Sequence, residues 1–99
     1  ILAANGVVVL PDIVANGGGV TVSYFEWVQN TENEEWELDV VNRKMQARMR
    51  RAVEVAVARW RTLTAEAEPD DGPVDLRTAA LVVAIERVAR ATLQRGIWP

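Results

Sequence analysis

Residues 11–30 read PDIVANGGGVTVSYFEWVQN, and the interpretation of the whole chain starts from this stretch. It follows an apolar run, VVVL at residues 7–10, which lies between Gly6 and Pro11. Four aliphatic residues in that setting predict a short buried strand of the parallel type, and Pro11 ends it because proline cannot donate to a sheet ladder. Residues 12–18 are then expected to form a loop at the carboxyl end of the strand, where open α/β sheets bind ligands.

A helix is predicted from Gly18 or Gly19 to Asn30. Val20, Ser23, Tyr24 and Trp27 recur at spacings of three and four, so they share one face of that helix. This face places a hydroxyl among apolar neighbours, close to a helix N-terminus whose free N–H groups favour anions.

Two interpretations of Ser23 are open at this point. Its hydroxyl can donate to the carbonyl of Gly19 within the helix, or it can donate to a substrate oxygen. Spacing alone favours the first, because no histidine or lysine lies near enough in sequence to act as a base. The glycine triplet has two interpretations as well, a structural turn or a ligand-binding loop, since it matches neither GxGxxG nor the Walker pattern. The aromatic side chains of Tyr24, Phe25 and Trp27 are expected to pack in the core.

The rest of the chain predicts two more helices. Residues 31–36 form a polar break in which Thr31 and Glu34 have capping-box spacing. Leu38–Glu66 is predicted to be one long helix, about 40 Å in length, whose apolar stripe implies a partner surface. The stripe consists of Val41, Met45, Met49, Ala52, Val53, Ala56, Trp60 and Leu63. After a turn at residues 68–73, a last helix is predicted over residues 75–95, apolar enough to be buried from more than one side.

The composition limits the possible functions. The chain has 99 residues, with 49% apolar and 25% charged side chains, which is ordinary for one globular domain or part of one. A net charge of −3 argues against a nucleic-acid partner. The sequence has no cysteine and no histidine, which removes thiol and imidazole chemistry and the commonest metal ligands, so no metal site is predicted. No membrane partner is predicted, since no apolar run approaches about 20 residues.

The beginning of the chain supports two further expectations. Residues 1–10 lack the pattern of a signal peptide, so a cytoplasmic location is expected by default. The chain starts at Ile1 without a methionine, so it is expected to be an excerpt of a longer protein. From the residues alone, a non-catalytic helical interaction module that pairs through Leu38–Glu66 is one hypothesis for function.

The stretch at residues 11–30 closely resembles the glutamate dehydrogenase family, within the Glu/Leu/Phe/Val dehydrogenases. The segment DLRTAALVVAIERVARATLQRG at residues 75–96 resembles the last helix of the same family, and the closing RGIWP fits as well. The resemblance implies that residues 1–99 are the C-terminal part of a Rossmann-type NAD(P)-binding domain with its closing helices. The expected fold class is therefore α/β, represented here by one short strand and three helices, so mostly α.

The resemblance also implies a reaction, namely the reversible NAD(P)-dependent oxidative deamination of L-glutamate to 2-oxoglutarate and ammonium by a homohexamer. Ser23 matches the family's serine that contacts the side-chain carboxylate of glutamate, and Val20 matches a valine that lines the same pocket. Asn16 matches an asparagine beside the nicotinamide end of NAD or NADP. Relatives that act on leucine, valine or phenylalanine would not be expected to keep that serine, which favours glutamate.

The sequence departs from the family pattern in two respects. Gly17 stands where the family usually has alanine. The family's catalytic lysine and aspartate and its dinucleotide-binding glycine loop match nothing in the chain, and Lys44 belongs to an arginine-rich helix face, residues 43–51, that is expected to be solvated. No catalytic residue is therefore expected in residues 1–99, and the segment is expected to be active only within the full-length enzyme.

Overall fold

The computed structural model describes residues 2–96, which form helices joined by short turns. Helix α3 is central, because α2 and α4 both pack on it. Within residues 2–96, α2 and α4 do not contact each other. The short helix α1 touches all three. The elements are a 3-10 turn at Ala3–Asn5, α1 at Asp12–Ala15, α2 at Gly17–Glu32, α3 at Leu38–Glu66 and α4 at Leu76–Arg95.

Helix α3 has the bounds that the sequence predicts. Its apolar stripe is largely half-buried, with Ala56 fully buried and Ala52 exposed. The N-terminal half of α3 carries α2, where Met45 and Met49 face the glycines that begin that helix. The C-terminal half carries α4. Much of the partner surface that the stripe implies is therefore supplied by the chain itself.

Helix α2 is longer than predicted, because its last turn continues through Thr31. Asn33 ends it in the left-handed conformation, at φ 54°, which asparagine tolerates better than most residues. The predicted capping box of Thr31 and Glu34 is wrong, since the Thr31 hydroxyl donates to the carbonyl of Trp27 at 2.8 Å. Gln29 holds the turn instead, accepting a 2.7 Å hydrogen bond from the backbone N–H of Trp36.

Helix α4 begins and ends at the predicted residues, within one position. The carboxylate of Asp75 caps it by accepting a hydrogen bond from the N–H of Thr78 at 2.7 Å, and Gly96 follows its last residue at φ 83°. The indole N–H of Trp60 donates to the carbonyl of Val74 at 2.7 Å, which fixes the start of α4 against α3.

The predicted α/β fold class is wrong for the part of the chain that the structure describes. Residues 7–10 are not a strand, and their side chains are 47–64% exposed. A strand requires a neighbouring backbone to complete its hydrogen bonds, and residues 2–96 provide no such neighbour. An apolar run predicts that its side chains will be buried, but it does not show which backbone will pair with it. Residues 12–18 are not a loop either, since they form α1 and the first turn of α2.

The described residues bury few side chains. The buried apolar residues are Phe25, Ala56, Leu76 and Ala79. The radius of gyration is 17.2 Å, compared with about 13 Å for a compact domain of this size. Helix α4 is covered on one side only, because Ile85, Val88 and Leu93 remain exposed, so the predicted burial from more than one side is not observed. Among residues 2–96, no helix has the length and apolar character required to cross a membrane.

The Asp75 cap supports a prediction about stability. Asp75→Ala removes the acceptor for the Thr78 N–H and should lower the free energy of unfolding of the chain by about 1 kcal/mol. Hydrogen bonds from Thr78, its side chain first and its backbone N–H second, lower the pKa of Asp75 below its usual value. A lowered pKa stabilises the folded state above the unfolded pKa, about 3.9, and the contribution disappears as the pH falls through the folded pKa.

Asp75→Asn is the matched control, since asparagine caps a helix as well as aspartate but does not titrate. Urea unfolding followed by circular dichroism, between about pH 7 and pH 2.5, measures both effects. The wild-type chain should lose stability relative to Asp75→Asn only at the acid end of this range. Parallel pH profiles for the two proteins would refute the assignment of Asp75.

Candidate functional site

The candidate site is a strip of side chains on the exposed face of α2. Asn16 immediately precedes the helix, and Val20 and Ser23 follow it by four and seven positions, which puts all three on one face. All three are exposed, Val20 to 75% of its surface. The structure therefore brings the three predicted binding residues together in what we call the α2 strip, although their roles remain predictions.

The Ser23 hydroxyl donates to the carbonyl of Gly19 at 3.1 Å. This is the helix back-bond that spacing alone favours, and it is confirmed. The back-bond does not exclude the second interpretation, because a hydroxyl oxygen has two acceptor lone pairs and its hydrogen rotates to suit a new partner. An exposed hydroxyl beside an exposed aliphatic side chain can contact the polar end and the chain of a small acid at once.

Two aromatic residues continue the α2 strip by one further turn. The rings of Tyr24 and Trp27 lie 6.0 Å apart in a stacked arrangement, and both side chains are exposed. The expectation that Tyr24, Phe25 and Trp27 are all core is therefore right only for Phe25, which is 3% exposed. Phe25 lies on the opposite side of the helix, with its ring 5.7 Å from that of Trp36.

Basic side chains of α3 hold these aromatic residues. The guanidinium of Arg48 lies 4.9 Å from the ring centre of Tyr24 and 5.2 Å from that of Phe25. The ammonium of Lys44 lies 4.1 Å from the ring of Trp36. Contacts of this kind contribute about 0.5–1 kcal/mol each at exposed sites. The prediction that this basic face is solvated is confirmed at these two positions, because both side chains are exposed. Their ring contacts were not predicted, because the sequence does not show which helix the aromatic rings will meet.

The glycine triplet forms the first turn of α2. None of the three has a positive φ; among the described glycines, Gly6, Gly72 and Gly96 do. A Cβ at Gly17 or Gly18 would lie 3.7–3.8 Å from the nearest methionine sulfur, which is ordinary van der Waals contact, and a Cβ at Gly19 would meet no atom within 4 Å. The fold of residues 2–96 thus does not require glycine at position 19.

Asn16 occupies the junction between α1 and α2. Its backbone N–H donates to the carbonyl of Asp12 at 2.8 Å, and its side chain makes no capping hydrogen bond to α2. The exposed amide group is therefore available to a ligand. No three carboxylates lie close enough together among residues 2–96 to hold a metal ion.

A separate groove, of about 900 Å³, lies between residues 6–12 and the two long helices α3 and α4. Residues 6–12 line one side of it, and the end of α3 and the start of α4 line the other, through Trp60, Thr64 and Leu76. None of the residues of the α2 strip borders this groove. Sequence reasoning did not predict it, since the groove depends on how residues 6–12 lie against the two helices.

Comparisons with known proteins agree on one family. The family described as Glutamate/Leucine/Phenylalanine/Valine dehydrogenase matches residues 1–96. Over all 99 residues, the chain is 46% identical to an NAD-specific glutamate dehydrogenase A and 46% identical to an NADP-specific glutamate dehydrogenase A1, both from Halobacterium salinarum. It is 44% identical to a glutamate dehydrogenase from Thermotoga maritima. The chain spans 21–22% of the length of these relatives.

The open position of Gly19 supports a second stability prediction. Gly19→Ala should raise the free energy of unfolding of the chain by about 0.5 kcal/mol, because alanine has the higher helix propensity and meets no atom here. Gly72→Ala is the contrasting variant. Gly72 also has open space around it but a φ of 74°, so alanine there should destabilise by about 1–2 kcal/mol. Urea unfolding measures both, and destabilisation by Gly19→Ala would show that this turn needs glycine.

Proposed function

The chain belongs to the Glutamate/Leucine/Phenylalanine/Valine dehydrogenase family, and on that premise we propose that it is the C-terminal part of a glutamate dehydrogenase. The proposed reaction is the reversible oxidative deamination of L-glutamate to 2-oxoglutarate and ammonium with NAD or NADP. The observation that carries the proposal is the identity of 44–46% to glutamate dehydrogenases over the whole chain. The likeness of residues 75–96 to the family's last helix supports the C-terminal position.

Recognition of the substrate is assigned to Ser23 and Val20. The hydroxyl of Ser23 is exposed and can reorient to donate to a carboxylate oxygen, a charge-assisted hydrogen bond that is stronger than a neutral one. Val20, one turn earlier on the same face, offers an exposed aliphatic side chain to the methylene groups of glutamate. The side chains of leucine and phenylalanine have no polar group for this hydroxyl to bond to, so its presence supports glutamate as the substrate.

The cofactor contact is assigned to Asn16. The exposed amide of Asn16 makes no capping bond, so its donor and acceptor fit an amide such as the carboxamide of nicotinamide. The relatives include an NAD-specific and an NADP-specific enzyme, so either cofactor is compatible with the family. When bound, the nicotinamide accepts or supplies the hydride, and the part assigned to Asn16 is to hold that end of the cofactor beside the α2 strip.

The proton transfers of the reaction are assigned to residues outside this chain. The sequence has no histidine, and Lys44 of α3 lies against the ring of Trp36, which precedes that helix. The chain therefore contributes binding groups, and activity is expected only from the complete enzyme. A homohexameric assembly and a cytoplasmic location stay predictions.

The interaction-module hypothesis is less well supported. It rests on the apolar stripe of Leu38–Glu66, for which the sequence alone shows no partner. In the structure α2 and α4 cover much of that stripe, so burial within the chain explains it.

Removal of the Ser23 hydroxyl tests the proposed substrate contact. In the full-length enzyme, Ser23→Ala should weaken transition-state stabilisation for glutamate by about 1.5–3 kcal/mol, the usual worth of a hydrogen bond to a charged group. Steady-state kcat/KM for glutamate measures this loss. Norvaline has the same carbon chain without the side-chain carboxylate, so its kcat/KM should hardly change.

Thr31→Ala is the matched control for that substitution. Thr31 is exposed on the same helix and makes the same kind of back-bond, to the carbonyl of Trp27, but lies two turns away from Ser23. It should leave both substrates unaffected. Equal losses for glutamate and norvaline in Ser23→Ala would mean that the substitution disturbs the helix, and unchanged glutamate kinetics would remove Ser23 from the site.

The isolated chain offers a further test of the division of roles. Purified residues 1–99 should reduce no NAD or NADP in the presence of glutamate and should bind neither cofactor tightly, because the proposal places the proton-transfer groups and most of the cofactor site elsewhere. The absorbance of the reduced nicotinamide and calorimetric titration measure the two properties. Glutamate-dependent reduction by the isolated chain would contradict this assignment.

A further inference from the structure

Most of the charged side chains that line a groove between α3 and α4 are arginines. Its volume is about 400 Å³, and it lies away from the α2 strip. The residues that matter to its chemistry are Arg59, Thr62, Val83, Glu86, Arg87 and Arg90. Three guanidinium groups and one carboxylate leave two net positive charges in this groove, within a chain whose total charge is −3. We call it the arginine groove.

Arg59 is held in place within the arginine groove. It forms an ion pair with Glu86 on the facing helix, and its side chain is only 32% exposed. That pair uses one end of the guanidinium, while the buried Nε of Arg59 has no hydrogen-bond partner. A fixed guanidinium loses less conformational entropy when it binds an anion than a free surface arginine does.

Arg87 and Arg90 add charge that no carboxylate among residues 2–96 pairs with. The ion pairs among the described residues are Arg43–Asp39 and Arg59–Glu86, so neither Arg87 nor Arg90 is neutralised in that part of the chain. The single carboxylate of the groove, Glu86, is already paired with Arg59. Two cations therefore border the groove without a counter-charge from the described part of the chain.

We propose that the arginine groove binds the phosphate group of a phosphorylated small molecule. A phosphate monoester carries about −1.5 to −2 charges at neutral pH, which matches the two net positive charges of the lining. Its oxygens also accept paired hydrogen bonds from guanidinium groups, the geometry in which arginine exceeds lysine. A single carboxylate would leave one positive charge of the groove uncompensated.

Titration of the 99-residue chain with inorganic phosphate tests the proposal. In ¹⁵N NMR spectra at low salt, the side-chain Nε–H signals of the three groove arginines should shift in a saturable way, and those of Arg50 and Arg61 should shift little. Arg87→Gln with Arg90→Gln should weaken phosphate binding at least about tenfold, a loss of about 1.4 kcal/mol of binding free energy. Arg50→Gln with Arg61→Gln removes the same charge elsewhere on α3 and should change binding less than about twofold.

Succinate, a dianion without phosphorus, provides the second arm at matched ionic strength. Succinate should bind more weakly than phosphate, because its two charges lie on separate carboxylates and not on one group that several guanidinium groups can contact together. Equal affinity for both anions would overturn the phosphate assignment. Non-saturable shifts, or equal weakening by the two double variants, would show that phosphate is attracted only by the overall positive charge of this surface. Either result would overturn the proposed site. The mapping on the wild-type chain does not depend on how well any variant folds.

Discussion

The structure depends on the packing of two helices onto separate halves of α3. Near its N-terminus, the methionine sulfur atoms of α3 lie against the bare first turn of α2. Near its C-terminus, the Trp60 indole fixes the start of α4 and Arg59 pairs with that helix. Because α2 and α4 do not touch in the described part of the chain, the positions of the α2 strip and of the arginine groove are both set by α3.

The burial of the Phe25 ring determines which face of α2 is exposed. Successive helix residues are about 100° apart, so Asn16 and Ser23 lie about 180–200° from Phe25 around the axis, and Val20 about 140°. When Phe25 packs toward α3 and Trp36, these three residues must face away from α3. The cations of α3 that lie against the rings strengthen this orientation. The exposure of the α2 strip is thus a consequence of core packing on the other side of the same helix.

How much the sequence could predict depended on whether the decisive interaction was local. The bounds of α3 and α4 followed from helical periodicity, and the Ser23 back-bond followed from i, i+4 spacing. The predicted strand at residues 7–10 is wrong, because a strand forms only beside a second backbone and the apolar pattern does not identify one. The Arg48 and Lys44 contacts and the arginine groove were missed for the same reason, since each joins side chains from different helices.

The Ser23 hydroxyl has one hydrogen and two possible uses for it. In the structure that hydrogen is given to the carbonyl of Gly19, which leaves acceptor lone pairs on the exposed side. A carboxylate needs a donor, so its binding must redirect the hydroxyl and release the Gly19 carbonyl. That exchange is favourable, because a neutral bond within the helix is replaced by a charge-assisted one, and the Gly19 carbonyl can retain its helix partner. If the proposed substrate contact forms, it and the back-bond are successive states of one hydroxyl, so finding the back-bond is compatible with the proposal.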